Sequence, residues 1–257
     1  MQSNTTIAKV LSTLRLLAHN GGRLCVSDMM QRLDVSSATA YRYLAELEGA
    51  GLVSRFAIGE YVLGPEIVAL ERAARDYDPY VVAAQPVMAA LARGTGASVI
   101  FGRPCGRRLV YVLDVPGRLG PPGLTNMRGR SDSLQCGAMS EIMLASMSSG
   151  DQCDAEASLR EQPGQTDTAR STSSPEAGAR YLRGRKACCS VGEVDPDTVL
   201  WAVAILRGNQ MVGSLGAAFR RQAPSPEPAR MEDQMWRAAL RIEGRLRAHV
   251  HDVQGDR

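Results

Sequence analysis

The stretch SSATAYRYLAELEGAGLV, residues 36–53, decides the fold of the N-terminal part of this chain. Ser36 or Ser37 is suited to cap the start of a helix, and the glycines at the end of the run are suited to stop it. Four apolar residues share one helical face, which are Ala40, Tyr43, Leu44 and Leu47. The other face carries small and polar residues, which are Ser37, Ala38, Tyr41, Arg42 and Ala45. The spacing therefore predicts a helix that is buried on one side and polar on the other.

The elements on both sides of this helix complete a recognisable order. Upstream, an apolar stripe from Ile7 to Ala18 predicts a first helix, and Ser27 is placed to cap a second one. Downstream, residues 52–57 and 60–63 predict two strands joined by a tight turn at Ile58-Gly59. Two helices followed by a hairpin is the order of a winged helix-turn-helix, whose second helix enters the major groove of DNA.

The exposed face of the predicted second helix has residue types that DNA recognition needs. Small side chains permit close approach, hydroxyls can bond to phosphates or base edges, and a guanidinium can pair with guanine. Arg55 on the hairpin is placed to contact the DNA backbone. The predicted DNA-binding residues are Ser36, Ser37, Thr39, Tyr41, Arg42 and Arg55. The pattern alone fits equally well a small helical domain with a solvated polar face.

Composition limits the class of protein without naming its function. The chain has 257 residues, 44% apolar and 22% charged, enough for one large or two modest domains with their own cores. A disordered chain, a collagen and a disulfide miniprotein are excluded. The net charge of +3 does not by itself indicate a nucleic-acid binder. No apolar run reaches the roughly 18 residues of a spanning helix, and the start lacks the order of a secretory signal. We therefore expect a cytoplasmic protein with no membrane partner.

The sequence offers little catalytic or metal-binding chemistry. Its six cysteines form no C-x-x-C pair, and His249 and His251 would lie about 200° apart on a helix. We expect a reduced chain with no metal and no cofactor. Cys136, at the start of a predicted helix, is a candidate thiol sensor or nucleophile. A packed structural thiol is the favoured interpretation for it and for Cys188-Cys189. Known catalytic motifs are absent, so we expect no enzyme activity, with a thiol sensor or enzyme in the second half as the alternative.

Residues 65–257 predict a helix followed by an α+β domain. The helix starts at Pro65 and is broken at Asp78-Pro79. Further helices are predicted from residue 79, at 136–148, at 176–185 and from about residue 227. Strands are predicted at 98–102 and 108–115, and a hairpin at 198–206 and 211–219. Helices mixed with hairpins indicate an α+β sheet domain and not a doubly wound parallel one.

Three runs, residues 10–18, 36–53 and 61–65, resemble the isocitrate-lyase-regulator (IclR) family of bacterial transcription factors. The most specific part is T-x-x-R-x-L-x-x-L-x-x-x-G-L-V from Thr39, followed by Y-x-L-G from Tyr61. The resemblance implies a winged helix-turn-helix domain at 1–64, a linker helix at 65–77 and a GAF-like, mixed α/β effector-binding domain at 78–257. It also implies a homodimer or homotetramer that binds double-stranded, palindromic operator DNA under the control of a small-molecule effector. Repression and activation both stay open.

The resemblance of the C-terminal part is weaker and rests mainly on residues 129–145. Ser133 stands where the family has proline, and Ser140-Glu141-Ile142 stands where it has Gly-Lys-Ala. Later, Glu193 and the strand at 200–205 look like the family's acidic residue and strand. Carried over residue by residue, the effector pocket would be lined by Leu124, Asp132, Ala138, Met139, Ser190, Leu200, Gly216 and Ala218.

Two departures from the family pattern affect what this pocket would hold. Asp132 replaces an apolar residue, and Gly216 and Ala218 replace hydroxyls that would hold a carboxylate. The family implies an organic acid or a hydroxylated or aromatic metabolite as effector. The departures favour a larger, neutral, hydroxylated or amine-bearing molecule. The alternative for Asp132 is a solvated loop residue beside Arg128 and Arg130.

Overall fold

The chain forms two compact units, Met1–Asp78 and Pro79–Arg257. A computed structural model describes residues 5–106, 108–133, 137–146, 187–192 and 195–255. Three features of the sequence analysis lie outside the described residues: the predicted helix at 176–185, Cys136 and Glu193. Among the helices that the structure describes, none combines the length and the apolar character needed to cross a membrane.

The N-terminal unit is helical with a small antiparallel sheet. Its elements are α1 Thr6–His19, β1 Arg23–Cys25, α2 Val26–Leu33, α3 Ser37–Gly49, β2 Val53–Ala57, β3 Glu60–Leu63 and α4 Glu66–Tyr77. The strands lie in the order β1-β3-β2. The predicted order of a winged helix-turn-helix is confirmed. The expectation for Ser27 was wrong, because α2 begins one residue earlier and its N-cap is Cys25, which makes no side-chain capping bond.

The core of this unit holds α3 in place by its apolar face. Ala40, Tyr43, Leu44 and Leu47 are all buried, as the helical spacing predicts. The turn before α3 passes through Asp34 in the left-handed region, at φ 49°, and its carbonyl accepts from Lys9 Nζ at 3.2 Å. The buried face of α3 and the hydrogen-bonded turn before it together determine which face of the helix is exposed to solvent.

The C-terminal unit is a six-stranded antiparallel sheet with helices on both faces. Its elements are α5 Pro79–Thr95, β4 Ser98–Cys105, β5 Arg108–Val115, a 3-10 turn Pro122–Leu124, β6 Ser131–Ser133, α6 Ala138–Ser146, β7 Cys188–Val191, β8 Thr198–Arg207, β9 Gln210–Arg220 and α7 Pro228–Gly255. The strand order is β6-β5-β4-β9-β8-β7. The α+β prediction is confirmed, including the hairpin of β8 and β9.

The two faces of this sheet differ in the size of their side chains. Successive strand residues point to opposite faces. The large-residue face carries, on β8 and β9, Trp201, Val203, Ile205, Leu215, Ala217 and Phe219, and it packs with residues of α5 and α7. The small-residue face carries Leu200, Ala202, Ala204, Ser214, Gly216 and Ala218, and it packs with residues of α6. The two sides of one sheet therefore form two separate cores.

A buried carboxylate fixes the far end of the hairpin. The register of β8 and β9 shifts between Ile205 and Leu206. Glu243 of α7 is 5% exposed, and its Oε1 accepts from the Leu206 backbone N–H at 3.0 Å. A β-bulge leaves a backbone group without its ladder partner. Glu243 supplies that partner and ties α7 to the sheet.

Candidate functional site

The start of α3 is built by a serine cap. Ser36 has an extended backbone, and its Oγ accepts from the Thr39 N–H at 3.3 Å. The Ser36 hydroxyl also donates to Thr39 Oγ1 at 3.0 Å. A side chain that bonds to a backbone N–H in the first turn satisfies one of the free donors there. Ser36 and Thr39 therefore order the first turn of α3, and the Thr39 hydroxyl keeps its own proton to donate.

The remaining residues predicted on α3 lie on its solvent side. Ser37 and Arg42 are exposed, and Tyr41 is 44% exposed. The Arg42 guanidinium lies 5.8 Å from the ring centre of the buried Tyr43, within range of a cation–π contact. That contact anchors the side chain beside the helix while its N–H groups face solvent. The arrangement can present a hydroxyl and a guanidinium together to a groove.

Arg55 is exposed at the base of the hairpin, and it has a partner within the chain. Its Nη2 donates to the hydroxyl of the buried Tyr61 at 3.2 Å. This hydrogen bond is the main reason that the pKa of Arg55 is raised above its ordinary value. Tyr61 thus holds the guanidinium on the exposed side of β2, where its remaining N–H groups can reach a phosphate.

Sequence reasoning missed the residues that extend this surface to β1. The Arg23 guanidinium lies 4.5 Å from the ring centre of Phe56. Phe56 is 58% exposed and Ile58, at the turn, is fully exposed. Arg23 reaches the hairpin because β1 pairs with β3, placing Arg23 opposite Val62. The pairing joins residues far apart in sequence, so no local pattern indicated it.

The helix α4 presents apolar residues that the described structure does not bury. No residue of α4 is buried within the unit. Leu70 and Tyr77, on one side of the helix, are 52% and 78% exposed. Another side of the helix carries ion pairs between Arg72 and Asp76 at 2.5 Å and between Arg75 and Glu71 at 2.9 Å. A helix that is polar on one side and apolar but uncovered on another is typical of an association surface.

The residues predicted to line an effector pocket meet on the small-residue face of the C-terminal sheet. Leu124, Ala138, Met139, Leu200 and Ala218 belong to one buried cluster. Ser190 Oγ accepts from the Ala138 N–H at 3.2 Å. A side chain on Gly216 would point at Met139 Sδ, which lies 2.5 Å from where its Cβ would stand. Residues of α6, β7, β8 and β9 are thus brought together as one site.

Asp132 lies in a strand and not in a loop, so the loop alternative for this residue was wrong. Residues 131–133 form β6 at the edge of the sheet, and Asp132 is paired with Leu109. Leu109 is fully buried in the same cluster as the other predicted residues. The backbone of Asp132 therefore borders the predicted pocket. The position of its side chain lies outside what the structure describes.

The described part of the site contains one thiol with a defined partner. Cys188 is 3% exposed, and its Sγ donates to Glu141 Oε2 of α6 at 3.2 Å. Cys189 was expected to be packed as well, but it is exposed, because neighbouring strand residues face opposite ways. Cys188 therefore serves as a packed side chain of the pocket. Across the described ranges, no group of three or more His, Cys, Asp or Glu side chains could hold a metal ion.

Residues that the sequence comparison did not select complete the lining. They include Ile100, Leu109, Tyr111, Met127, Ile142, Met143 and Met211. Ser214 belongs to the same face, since it lies two residues before Gly216 on β9, and its side chain is fully buried. Strand alternation from Gly216 and Ala218 was the signal that could have found it.

Comparison with known proteins agrees with the two-part architecture. Residues 6–55 match the family model of the IclR helix-turn-helix domain. Among curated proteins, none matches the sequence. An IclR transcriptional regulator from Alicyclobacillus acidocaldarius is 21% identical over 94% of this chain and 98% of its own, with a TM-score of 0.72. An IclR family transcriptional regulator from Brucella abortus is 20% identical over 95% and 92%, with a TM-score of 0.73.

A third solved structure carries a small molecule. It is an IclR homolog complexed with 4-hydroxybenzoate, from Microbacterium hydrocarbonoxydans. It is 17% identical to this chain, over 95% of this chain and 100% of its own, with a TM-score of 0.72. At these identities the structural similarities show the fold. The family-model match covers residues 6–55 of the N-terminal unit.

Proposed function

We propose that this chain is an IclR-type transcriptional regulator, as the match of its helix-turn-helix domain and the likeness of its fold support, and that it binds a palindromic operator as a homodimer or dimer of dimers. The observation that carries the proposal is α3, which is buried on one face and presents Ser37, Tyr41 and Arg42 on the other. Two copies of α3, spaced by the dimer, would read successive major grooves of a two-fold symmetric site.

The exposed α4 supports association with a second copy of this chain. Ile67, Leu70, Ala74 and Tyr77 recur at helical spacing along it, and none is buried. A matching helix from a second copy would cover this stripe and leave the ion pairs on the outside. An isologous contact of this kind gives the two-fold symmetry that a palindromic operator requires.

The C-terminal unit supports control by a small molecule. Its site is assembled on the small-residue face from four elements, with buried Ser190 and Ser214 among apolar neighbours. A ligand that binds one arrangement of the protein better than another would shift operator affinity by that difference. We place the protein in the cytoplasm, with its DNA, and assign it no catalytic activity of its own.

The proposal is tested by the affinity of the full chain for DNA from upstream of its own gene. Arg42→Ala should weaken binding by about tenfold or more, because a bidentate contact to guanine contributes about 1–3 kcal/mol. Arg207→Ala is the matched control, since Arg207 is exposed at the end of β8 in the other unit and its loss removes the same charge. Fluorescence anisotropy measures the affinity, and sedimentation of the complex counts the copies per operator.

Three results would contradict the proposal. Equal losses for Arg42→Ala and Arg207→Ala would show general charge attraction instead of readout by α3. A single copy per operator would remove the dimer. If no DNA binding is seen with or without small molecules, and the chain instead turns over a substrate or responds to mild oxidation, the enzyme or thiol-sensor alternative takes its place.

A further inference from the structure

Small residues line the sheet beneath α6. At the centre of the hairpin, Ala202 lies opposite Gly216 and Ala204 lies opposite Ser214. On the other side of β9, Ser214 is paired with Gly102. Five adjoining positions therefore carry at most a methyl group or a hydroxymethyl group. The backbone of the sheet is exposed to whatever lies above it.

Methionines fill the volume above these small residues. Met127, Met139, Met143 and Met211 all belong to this cluster and are nearly or fully buried. Met139 lies directly over Gly216 and would collide with any side chain there. Thioether side chains are unbranched and flexible, and they can move aside without breaking hydrogen bonds. Their sulfurs also make favourable contacts with aromatic rings.

Ser214 contributes a polar group that the chain itself does not use. Its side chain is fully buried, and its Oγ has no hydrogen-bond partner among the described residues. By alternation along β9 it points to the same side as Gly216 and Ala218. Buried polar groups are normally satisfied, so an unpaired one in a binding region is explained by a partner that arrives later. Ser140 Oγ on α6, also buried and unpaired, is a second group of this kind.

The charges around the cluster disfavour an anion at its centre. Glu141 places a carboxyl group against Cys188 on the edge of the site. The Arg130 guanidinium is exposed and lies 3.7 Å from the Sδ of Met127, a member of the cluster. Among the described residues, a carboxylate bound over Gly216 would exchange its water for hydroxyl groups, which do not compensate a buried charge.

We propose that the effector is an aromatic molecule with one uncharged hydrogen-bonding group, which displaces the Met139 thioether from Gly216 and bonds to Ser214 Oγ. The proposal rests on the effector site of the proposed function and names its ligand class and its specificity residue. The ring would lie on the small residues and between the methionine sulfurs. Ser214 would select the hydroxyl group, because an analogue without it leaves the serine unpaired.

The test uses the full chain, without DNA, labelled with ¹³C at the methionine methyl groups. Three probes that share a methyl-substituted benzene ring are titrated: 4-methylphenol, toluene and 4-methylbenzoate. We expect 4-methylphenol to shift the methyl signals of Met139 and Met143 through its ring current. Met88, Met231 and Met235, on the large-residue face, should not shift. Toluene should need about tenfold higher concentration, the value of one neutral hydrogen bond. 4-Methylbenzoate should need at least as large an increase, because its carboxylate would lose its water without compensation.

Ser214→Ala identifies the hydroxyl that selects the phenol. The variant should bind 4-methylphenol about tenfold more weakly and no longer distinguish it from toluene. Ser98→Ala is the matched control, because Ser98 is also a buried serine but its Oγ already accepts from the Gly117 N–H at 3.1 Å. This control should bind both probes as the unchanged protein does.

Several outcomes would overturn the proposal. Binding of 4-methylbenzoate as tight as that of 4-methylphenol would remove the preference for an uncharged ligand. The proposed binding site would be contradicted if the methionine methyl signals shifted equally on both faces of the sheet, or if the Met139 signal did not shift. Equal effects of Ser214→Ala and Ser98→Ala would remove the role of Ser214. These titrations contain no DNA, so they test the ligand site separately from operator binding. If a probe binds at Met139 but does not change operator affinity when that is measured, effector control is contradicted while the ligand site stands.

Discussion

The two faces of the C-terminal sheet use the same two strands in opposite ways. On the large-residue face, Phe101, Leu215 and Phe219 are fully buried against α5 and α7. On the small-residue face, glycine, alanine and serine occupy the matching positions and methionines fill the space. The large-residue face also holds buried methionines, Met88, Met231 and Met235, but they share one core with large strand side chains such as Phe101 and Phe219. Small strand residues under methionines permit more packing arrangements than large rings do. The large-residue face stabilises the fold, and the small-residue face is able to change its packing.

The largest effect is expected on the large-residue face. Phe219→Ala removes a fully buried ring from between the sheet and its helices and should lower the free energy of unfolding by about 3–5 kcal/mol. Urea denaturation followed by circular dichroism measures the loss. Phe56→Ala is the control, because Phe56 is 58% exposed and the same substitution there should change stability by less than about 0.5 kcal/mol. A loss below about 2 kcal/mol for Phe219→Ala would mean that this core can rearrange too.

A smaller effect is expected when a methionine is removed from the small-residue face. Met139→Ala should lower the free energy of unfolding by about 2 kcal/mol, which is the low end of the range for truncating a buried methionine. The loss is small because Met143 and Met211 can move into the vacated space. The matched variant is Met235→Ala, which truncates a fully buried methionine of the large-residue face. It should lower the free energy of unfolding by about 4 kcal/mol. The same denaturation experiment compares them. Equal losses would erase the proposed difference between the faces.

The sequence predicted the N-terminal domain best because its signals are local. The buried stripe of α3, its serine cap and the hairpin at Ile58-Gly59 depend on residues a few positions apart. The cap of α2 was misplaced because β1 runs directly into that helix, so that Cys25, two residues before Ser27, takes the N-cap position. Arg23 was missed for a different reason, since only the pairing of β1 with β3 brings it to the hairpin.

The sequence could predict which residues of the candidate effector site converge, but not how they pack. The residues chosen by resemblance converge because the family pattern carries the topology of the sheet. Nothing in that pattern says that Met139 lies over Gly216 or that Glu141 bonds to Cys188, since these contacts join α6 to strands more than forty residues away in the chain. The unpaired hydroxyl of Ser214 became visible only when its neighbours on β4 and β8 were known.

The smallest expected effect is also the one that tests Ser214 most directly. Ser98→Ala leaves the Gly117 N–H without its acceptor and should cost about 1 kcal/mol. Ser214→Ala removes a buried hydroxyl that has no partner among the described residues, so the unfolding free energy should change by less than about 0.5 kcal/mol or rise. Thermal and urea unfolding of both variants without ligand measure the difference. If Ser214→Ala costs as much as Ser98→Ala, the Ser214 hydroxyl is already bonded within the fold, and a ligand would have to break that bond to use it. A neutral result in the free protein, combined with lost selectivity for 4-methylphenol, would mean that the hydroxyl acts on the ligand and not on the fold.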